Sequence, residues 1–293
     1  MLIRGLIFLK RDFQMQLAMV GDKFIELEKL DSAYLDYGTF FGDGVYEVLR
    51  SYDGRLFALE EHLARFKRSL AEIEIEGVDI DDVGDKVIRA YQKSQIADAK
   101  IYFHITRGAG HRDHAKEGLE PRFLLLVTKI EDSKEQKNKG ISVITVPDTR
   151  WKRCDIKSLN LLANVLARRK AQKRGCQEAI FVDEKGCVTE GASSAFFAVF
   201  GDKLQTAPLT ANILPSITRQ FVLDISKNVG LGVLQEQVKG QDATKADELF
   251  IAVSSKDIVP VVKFNEIAIS GGKPGKFTKL LINEFAKLVR EKK

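Results

Sequence analysis

Lys157 and Glu190 are the residues of this chain whose surroundings most suggest chemistry. Lys157 stands in RWKRCDIKSLNLL (from Arg150), with Ile156 before it and Leu159, Leu161 and Leu162 after it. An amine kept from water by such neighbours titrates low and becomes a nucleophile toward aldehydes. Glu190 ends a short strand in FVDEKGCVTEGASSA (from Phe181), against the small residues Gly191, Ala192, Ser193 and Ser194. A carboxylate fixed in such a place can keep a heteroaromatic nitrogen protonated. These are the two protein groups that an aldehyde cofactor such as pyridoxal phosphate requires. An exposed lysine and an exposed glutamate on ordinary solvated elements would look the same, so the pair alone leaves both readings open.

The elements that must position them can be read in order. Val20 to Glu28 predicts a strand pair turning at Gly21-Asp22. Gly42-Asp43-Gly44 marks a turn, and VYEVLRSY then alternates as a strand with Tyr46, Val48 and Arg50 on one face. Tyr46 could be a half-buried strand tyrosine and nothing more. Leu59, Leu63, Phe66, Leu70 and Ile73 keep helical spacing, which leaves Arg65 off the buried stripe and in solvent. A second helix runs from about Asp81 to Ser94, with Val83, Val87, Ala90 and Tyr91 inward. Strands IYFHITR and PRFLLLVTKI flank a loop of thirteen residues, Gly108 to Glu120, far longer than a hairpin needs. Within it Arg112 and His114 could clamp a carboxylate, by a guanidinium fork and a ring N–H, or could belong to a plain polar loop.

The polar run EDSKEQKNKG, Glu131 to Gly140, reads as the connector to a second domain that opens with the strand ISVITV. The helix after Lys157 is expected to turn Leu162, Val165 and Leu166 inward. Strands EAIFV and CVTE are joined by a turn at Asp183 to Gly186, and SAFFAVF follows. In NILPSITRQFVLDIS (from Asn212), Pro215 and Ser216 mark a helix start, which leaves the N–H groups of Ile217 and Thr218 free for an anion such as phosphate. ELFIAVSSKDIVPVV reads as a buried strand ending in the hydroxyls of Ser254 and Ser255, and Phe277, Leu280, Leu281, Phe285 and Leu288 mark a last amphipathic helix.

A chain of 293 residues is expected to divide in two: residues 1–130, a linker at 131–140, and residues 141–293. Forty-six basic against 41 acidic residues leave a net charge of +5, enough to favour a small anionic ligand and too balanced to demand nucleic acid. The basic run ARRKAQKR, Ala167 to Arg174, complements a helix C-terminus. Three scattered cysteines (Cys154, Cys176, Cys187) form neither a disulfide framework nor a zinc pattern and point to a reducing, cytoplasmic setting. The N-terminal run MLIRGLIFLKRDFQ is too short to span a membrane and reads as a first strand or an early start. No GxGxxG, P-loop or HExxH is present, so nucleotide, serine-hydrolase and metal-site chemistry find no support, and no metal is expected.

At RCDIKSLNLL, FGDGVYEV and VTEGASS the chain resembles the fold-type-IV pyridoxal-phosphate enzymes. That family comprises D-amino-acid aminotransferases, branched-chain aminotransferases and aminodeoxychorismate lyases. The likeness runs from about Val20 to the C-terminus. It implies an α+β fold with a smaller α/β N-terminal domain, a larger β-rich C-terminal domain, and pyridoxal 5'-phosphate in the cleft between them. By resemblance Lys157 carries the cofactor and is the catalytic base, and Glu190 pairs with the pyridine nitrogen. Arg65, the backbone of Ile217 and Thr218, and the hydroxyl of Ser254 hold the phosphate. Leu214 packs on the ring and Arg150 supports the site. Arg112-Asp113-His114 matches the Arg-x-His of the D-specific group, presented to the neighbouring subunit of a homodimer. With Tyr46 the pair would trap the substrate carboxylate, and Val48 would face the substrate. The implied reaction moves an amino group from a D-amino acid of the D-alanine type to a 2-oxo acid such as 2-oxoglutarate. A branched-chain L-aminotransferase is the same-fold alternative, and an aminodeoxychorismate lyase a further one. Two positions depart from the pattern: Ala195 stands where asparagine is usual, and Val253 where D-specific enzymes can have serine.

Overall fold

Strand alternation and helix periodicity sort the chain onto two large sheets and a separate two-stranded hairpin. The computed structural model describes residues 15–131 and 133–291. The run MLIRGLIFLKRDFQ, and with it the expectation of a first strand there, lies outside the described residues.

A hairpin of β1 (Leu17–Val20) and β2 (Lys23–Glu26) turns at Gly21, whose φ of +58° suits glycine. A short helix α1 (Tyr37–Phe41) leads into β3 (Gly44–Tyr52) and β4 (Arg55–Leu56). Helices α2 (Leu59–Glu72) and α3 (Ile80–Ser94) follow, then β5 (Ala99–Thr106) and β6 (Arg122–Lys129). The first sheet is four-stranded, β4-β3-β5-β6, and antiparallel throughout. β3 alternates as its sequence demands: Val45, Glu47, Leu49 and Ser51 are buried, while Tyr46, Val48, Arg50 and Tyr52 are half-buried on the other face. The buried face packs on α2 and α3 through Phe66, Leu70, Val83, Val87 and Tyr91.

Within residues 131–140 the chain forms a short helix, α4 (Lys134–Lys139). Then come β7 (Ile141–Pro147), α5 (Leu162–Lys173), β8 (Glu178–Val182), β9 (Val188–Gly191), β10 (Ala195–Phe200), β11 (Lys203–Thr206), α6 (Ile217–Ser226) and β12 (Gly232–Gln235). The chain closes with β13 (Glu248–Val253), β14 (Asp257–Phe264), β15 (Ile267–Ala268) and α7 (Lys276–Glu291). The second sheet is nine-stranded, ordered β12-β11-β10-β13-β14-β7-β8-β9 with β15 on β14. One face buries Phe197 and Phe250, stacked at 4.7 Å, under α6 and α7. The other gathers Val143, Ile180, Phe196, Ile251 and Phe264.

Three local expectations are corrected. On α5 the large residues face out, with Leu162 71 % and Leu166 55 % exposed and Val165 also exposed. The helix instead lays Ala167 and Ala171 on Ile144, Val146 and Phe181, because small residues let it approach the sheet closely. On α7, Leu280 is exposed while Leu281, Phe285 and Val289 carry the packing. Arg65, which periodicity left in solvent, is buried on α2. The cause is Glu47, a carboxylate on the inward face of β3. It accepts Arg65 Nε at 2.8 Å on Oε1 and Arg65 Nη2 at 2.8 Å on Oε2. His62, also buried, contacts Oε2 through Nδ1 at 2.7 Å. Burial pushes the His62 imidazole below its ordinary range despite Glu47, so near neutrality that contact is a hydrogen bond rather than an ion pair. Burial alone would raise the Glu47 carboxyl, but Arg65 and His62 outweigh it and hold the group well below the usual carboxylate range.

Two stability tests follow from this packing. Phe250→Ala should cost about 3–5 kcal/mol in urea unfolding, as large cavities in stacked aromatic cores do; a loss under about 1 kcal/mol would contradict the packing described. For Glu47, a folded pKa below the ordinary 4.5 means its contribution is complete above that value and is lost as pH falls. Glu47→Gln should therefore lower stability at neutral pH by about 3–5 kcal/mol, the cost of breaking a buried pair. It should also flatten the acid limb of stability against pH, and an unaltered acid limb would show that Glu47 is not ionised in the fold.

Candidate active site

Lys157 reaches its place because its segment is stitched to the free edge of β3. Lys157 O accepts from Tyr46 N–H at 3.0 Å, and Leu159 N–H donates to Gly44 O at 2.9 Å. Val45 and Ser158 form the bridge between these two bonds. Glycine is required at 44, where a Cβ would lie 2.6 Å from Ile105 O and 2.8 Å from Leu159 Cδ1. A third bond runs from Lys157 N–H to Ser69 Oγ of α2 at 3.2 Å. The backbone of Lys157 is thus fixed to the first sheet, and its half-buried side chain places Nζ 4.2 Å from the centroid of the Tyr46 ring.

Glu190 comes from the second sheet. It is buried on β9 and accepts Arg150 Nη1 at 2.5 Å on Oε1. The N–H of Leu214 donates to Oε1 at 3.2 Å and to Oε2 at 3.3 Å. Oε2 therefore has only one long bond and room for another donor. Burial raises the Glu190 carboxyl above its usual range, against the lowering pull of Arg150. Arg150 in turn forks onto Asp148, Nε to Oδ1 at 2.9 Å and Nη2 to Oδ2 at 2.7 Å, and lies 4.4 Å over the Phe181 ring. Burial disfavours the Arg150 charge, but these two carboxylates more than restore it. The Asp148 carboxyl, which burial would raise, is held low by Arg150 and Thr189.

These groups face one cavity of about 880 Å³ between the two sheets. It is lined by Lys157, Glu190, Arg65, Arg150, Leu214 and Ser254 among others, and Tyr46 and Val48 line it from β3. Arg65 Nη1 donates to Pro215 O at 2.8 Å, so the guanidinium ties α2 to the start of α6. Two of its five N–H donors remain for a ligand. At α6 the Ser216 hydroxyl caps Arg219 N–H at 3.2 Å, leaving the N–H groups of Ile217 and Thr218 without an acceptor among the described residues. Ile217 and Thr218 are not in the lining of the large cavity. They line a small void behind it with Ser254, and the Thr218 and Ser254 hydroxyls are 3.4 Å apart.

A volume of this size is typical of a cavity that takes an organic ligand. Its polar groups match a phosphorylated pyridine aldehyde: an amine, a buried carboxylate with an open oxygen, and a cation beside a helix N-terminus with hydroxyls. The residues therefore fit pyridoxal phosphate. The structure does not bring Arg112 and His114 to this cavity. Both are exposed, with the Arg112 guanidinium 4.8 Å from the Phe41 ring and the His114 ring 4.8 Å from it. Their loop is nevertheless held in shape, since the buried Tyr37 hydroxyl bonds His111 O at 2.9 Å and Asp113 O at 2.7 Å. The two departures are both lining residues: Ala195 is buried opposite Ala252, and Val253 is half-buried at the end of β13.

Several contributors escaped sequence reading. Glu47 was signalled only by a charge on the inward face of an alternating strand. Asp148 had no signal of its own. Asn212, which accepts Cys154 N–H at 3.1 Å and donates to Trp151 O at 3.0 Å, knits the lysine segment to the loop of Leu214. Asp257 accepts Arg50 Nη1 at 3.3 Å, Lys137 Nζ at 2.6 Å and the Tyr52 hydroxyl, and so joins β3, α4 and β14 beside Ser254.

The family model for class IV aminotransferases matches residues 44–264. The chain is 39 % identical over 249 residues to the D-alanine aminotransferase of Bacillus licheniformis, covering 83 % of this chain and 87 % of that one. It is 35 % identical over 277 residues to the D-alanine aminotransferase of Staphylococcus haemolyticus, covering 93 % and 98 %. Among solved structures, the T.th. branched-chain amino acid aminotransferase with pyridoxamine 5'-phosphate superposes with a TM-score of 0.80 at 21 % identity, covering 96 % of each chain. A match over residues 44–264, with Lys157 and Glu190 inside it, makes this chain a member of the class IV aminotransferase family.

Proposed function

We propose that the protein is a pyridoxal-phosphate-dependent transaminase that takes the amino group of a D-amino acid, of the D-alanine type, and passes it to a 2-oxo acid such as 2-oxoglutarate. The observation that carries this is the meeting of Lys157 and Glu190 in one cleft with Arg65 and the start of α6. The D-alanine aminotransferases it resembles give the substrate class. When bound, the cofactor supplies an aldehyde carbon for the substrate nitrogen and a protonated ring that draws electrons from the substrate's α carbon.

The chain's own residues then have distinct tasks. Lys157 Nζ would take the proton from the substrate's α carbon and hold it for return. Tyr46 keeps that nitrogen in place by its ring face. Glu190 would hold the cofactor's ring nitrogen in its protonated form, and Arg150 with Leu214 N–H keeps the carboxylate oriented. Leu214 also covers the ring. Arg65, the N–H groups of Ile217 and Thr218, and the Ser254 hydroxyl hold the phosphate, with the small void behind them closed by Phe57 and Phe285. Val48 meets the substrate side chain.

Arg112 and His114 act in the cleft of a second copy, where with Tyr46 they bind the substrate carboxylate. Their exposure and distance from their own cavity support a homodimer, as do the uncovered Leu162, Val165 and Leu166 of α5. Residues 1–130 and 141–293 would be its two domains, joined by 131–140. No helix among the described residues is long and apolar enough to cross a membrane. Cys154, Cys176 and Cys187 are unpaired, which suits the cytoplasm.

Lys157→Ala should lower kcat for D-alanine with 2-oxoglutarate by about 10³-fold or more, the scale of losing a positioned base; near-normal turnover would show that another amine does the work. Arg112→Ala should raise KM for D-alanine about tenfold with cofactor absorbance retained. Loss of cofactor together with activity would make Arg112 a structural residue.

A further inference from the structure

Basic side chains outnumber acids in the cleft, where Glu190 is the one carboxylate in the lining among the described residues. Three of these cations are matched: Arg65 by Glu47, Arg150 by Asp148 and Glu190, Arg168 by Glu178 at 3.2 Å; Lys157 is the reactive amine, and Arg169 is exposed on α5. Lys100 and Lys256 line the same cleft, half-buried, with no carboxylate partner among the described residues. Neither has a task in the reaction described above.

The sheet brings them to one end. Lys100 on β5 is the cross-strand partner of Arg50, one step beyond the Val48–Tyr102 pair and two beyond Tyr46–His104. Each two-residue step is about 6.6 Å, residues 100, 102 and 104 share the half-buried face of β5, and of the three Lys100 lines the cleft. Lys256 sits in the turn after Ser254, directly before Asp257, which binds the Arg50 guanidinium. Lys100 and Lys256 therefore approach the far end of the cleft, past Val48, from the two opposite sheets. The other cations there, Arg50 and Lys137, are already bound to Asp257. Val48 and Val253 give this end apolar walls, and Gln136 of α4 adds an amide.

We propose that Lys100 and Lys256 are specificity-determining residues that bind the second carboxylate of a dicarboxylic substrate, in the manner of D-glutamate as donor or 2-oxoglutarate as acceptor. A carboxylate entering between apolar walls loses water, and two unpaired ammonium groups in a sheltered cleft replace what it loses. This rests on the transaminase reading of the cleft and assigns what that reading leaves open, the side-chain end of the substrate.

The test compares substrates that differ by one carboxylate. On the cofactor-loaded enzyme, Lys100→Met and Lys256→Met keep the stems and remove the charge. Each should raise KM for D-glutamate and 2-oxoglutarate about tenfold and move KM for D-alanine and pyruvate less than about twofold, with Lys100→Arg restoring most of the loss. Calorimetry on the unaltered enzyme needs no variant: glutarate should bind about tenfold more tightly than butyrate. Equal rises in KM for both substrate classes, no rise, or equal affinity for the two ligands would overturn the proposal. If the enzyme transaminates D-alanine with 2-oxobutyrate but shows no lysine-dependent preference for the second carboxylate, this proposal alone fails. If it transaminates neither D-alanine with 2-oxobutyrate nor D-glutamate with pyruvate, the reading of the cleft beneath it fails as well.

Discussion

Two backbone hydrogen bonds, Tyr46 N–H to Lys157 O and Leu159 N–H to Gly44 O, hold the site together. They make the lysine segment a short additional strand on the first sheet, although that segment belongs in sequence to the second half of the chain. β4 pairs only with the far end of β3, at Ser51 and Tyr52, so the edge at Gly44 to Tyr46 is open to receive it. The cleft exists because one sheet lends its edge to a segment that the other half supplies. Glycine at 44 makes the approach possible, and Gly42, at φ +67°, ends α1 where a Cβ would be 2.6 Å from Asn160 Oδ1.

Around that seam, buried charge is arranged in closed groups. Glu47 answers Arg65 within the first sheet and its helix, and Asp148 and Glu190 answer Arg150 within the second. Asp257 answers Arg50 and Lys137 across the boundary. A buried carboxylate or guanidinium left alone would be costly, so each group fixes the side chain it pairs with. Arg65 illustrates this: its ion pair orients it, its bond to Pro215 O reaches the second half, and two donors stay free at the cleft. The α5 helix has the opposite character, with alanines against the sheet and leucines left outside. That exposed face, and the exposed Arg112–His114 loop, are the features on which the proposed homodimer rests.

Much of this was readable beforehand, for identifiable reasons. The period of two in VYEVLRSY placed Tyr46 and Val48 on one face because a strand edge-on to a cleft must alternate. Ser216 after Pro215 announced a helix start because a cap and a proline suit no other position so well. What could not be read was long-range pairing. Helical periodicity put Arg65 in solvent, since it cannot know that Glu47 waits on the neighbouring strand. The same rule turned Leu162 and Leu166 inward, when the sheet beneath α5 has room only for alanine. Asp257 and Lys137 stand 120 residues apart in the chain, and only the fold brings them to 2.6 Å.

The central claim is that one particular amine, that of Lys157, forms the covalent attachment for the cofactor. Reduction of the purified, cofactor-loaded protein with borohydride, followed by peptide mapping, tests it most directly. The account predicts loss of the yellow colour and a pyridoxyl group on a single residue, Lys157. A stable adduct on any other lysine, or no adduct on a coloured protein, would contradict it.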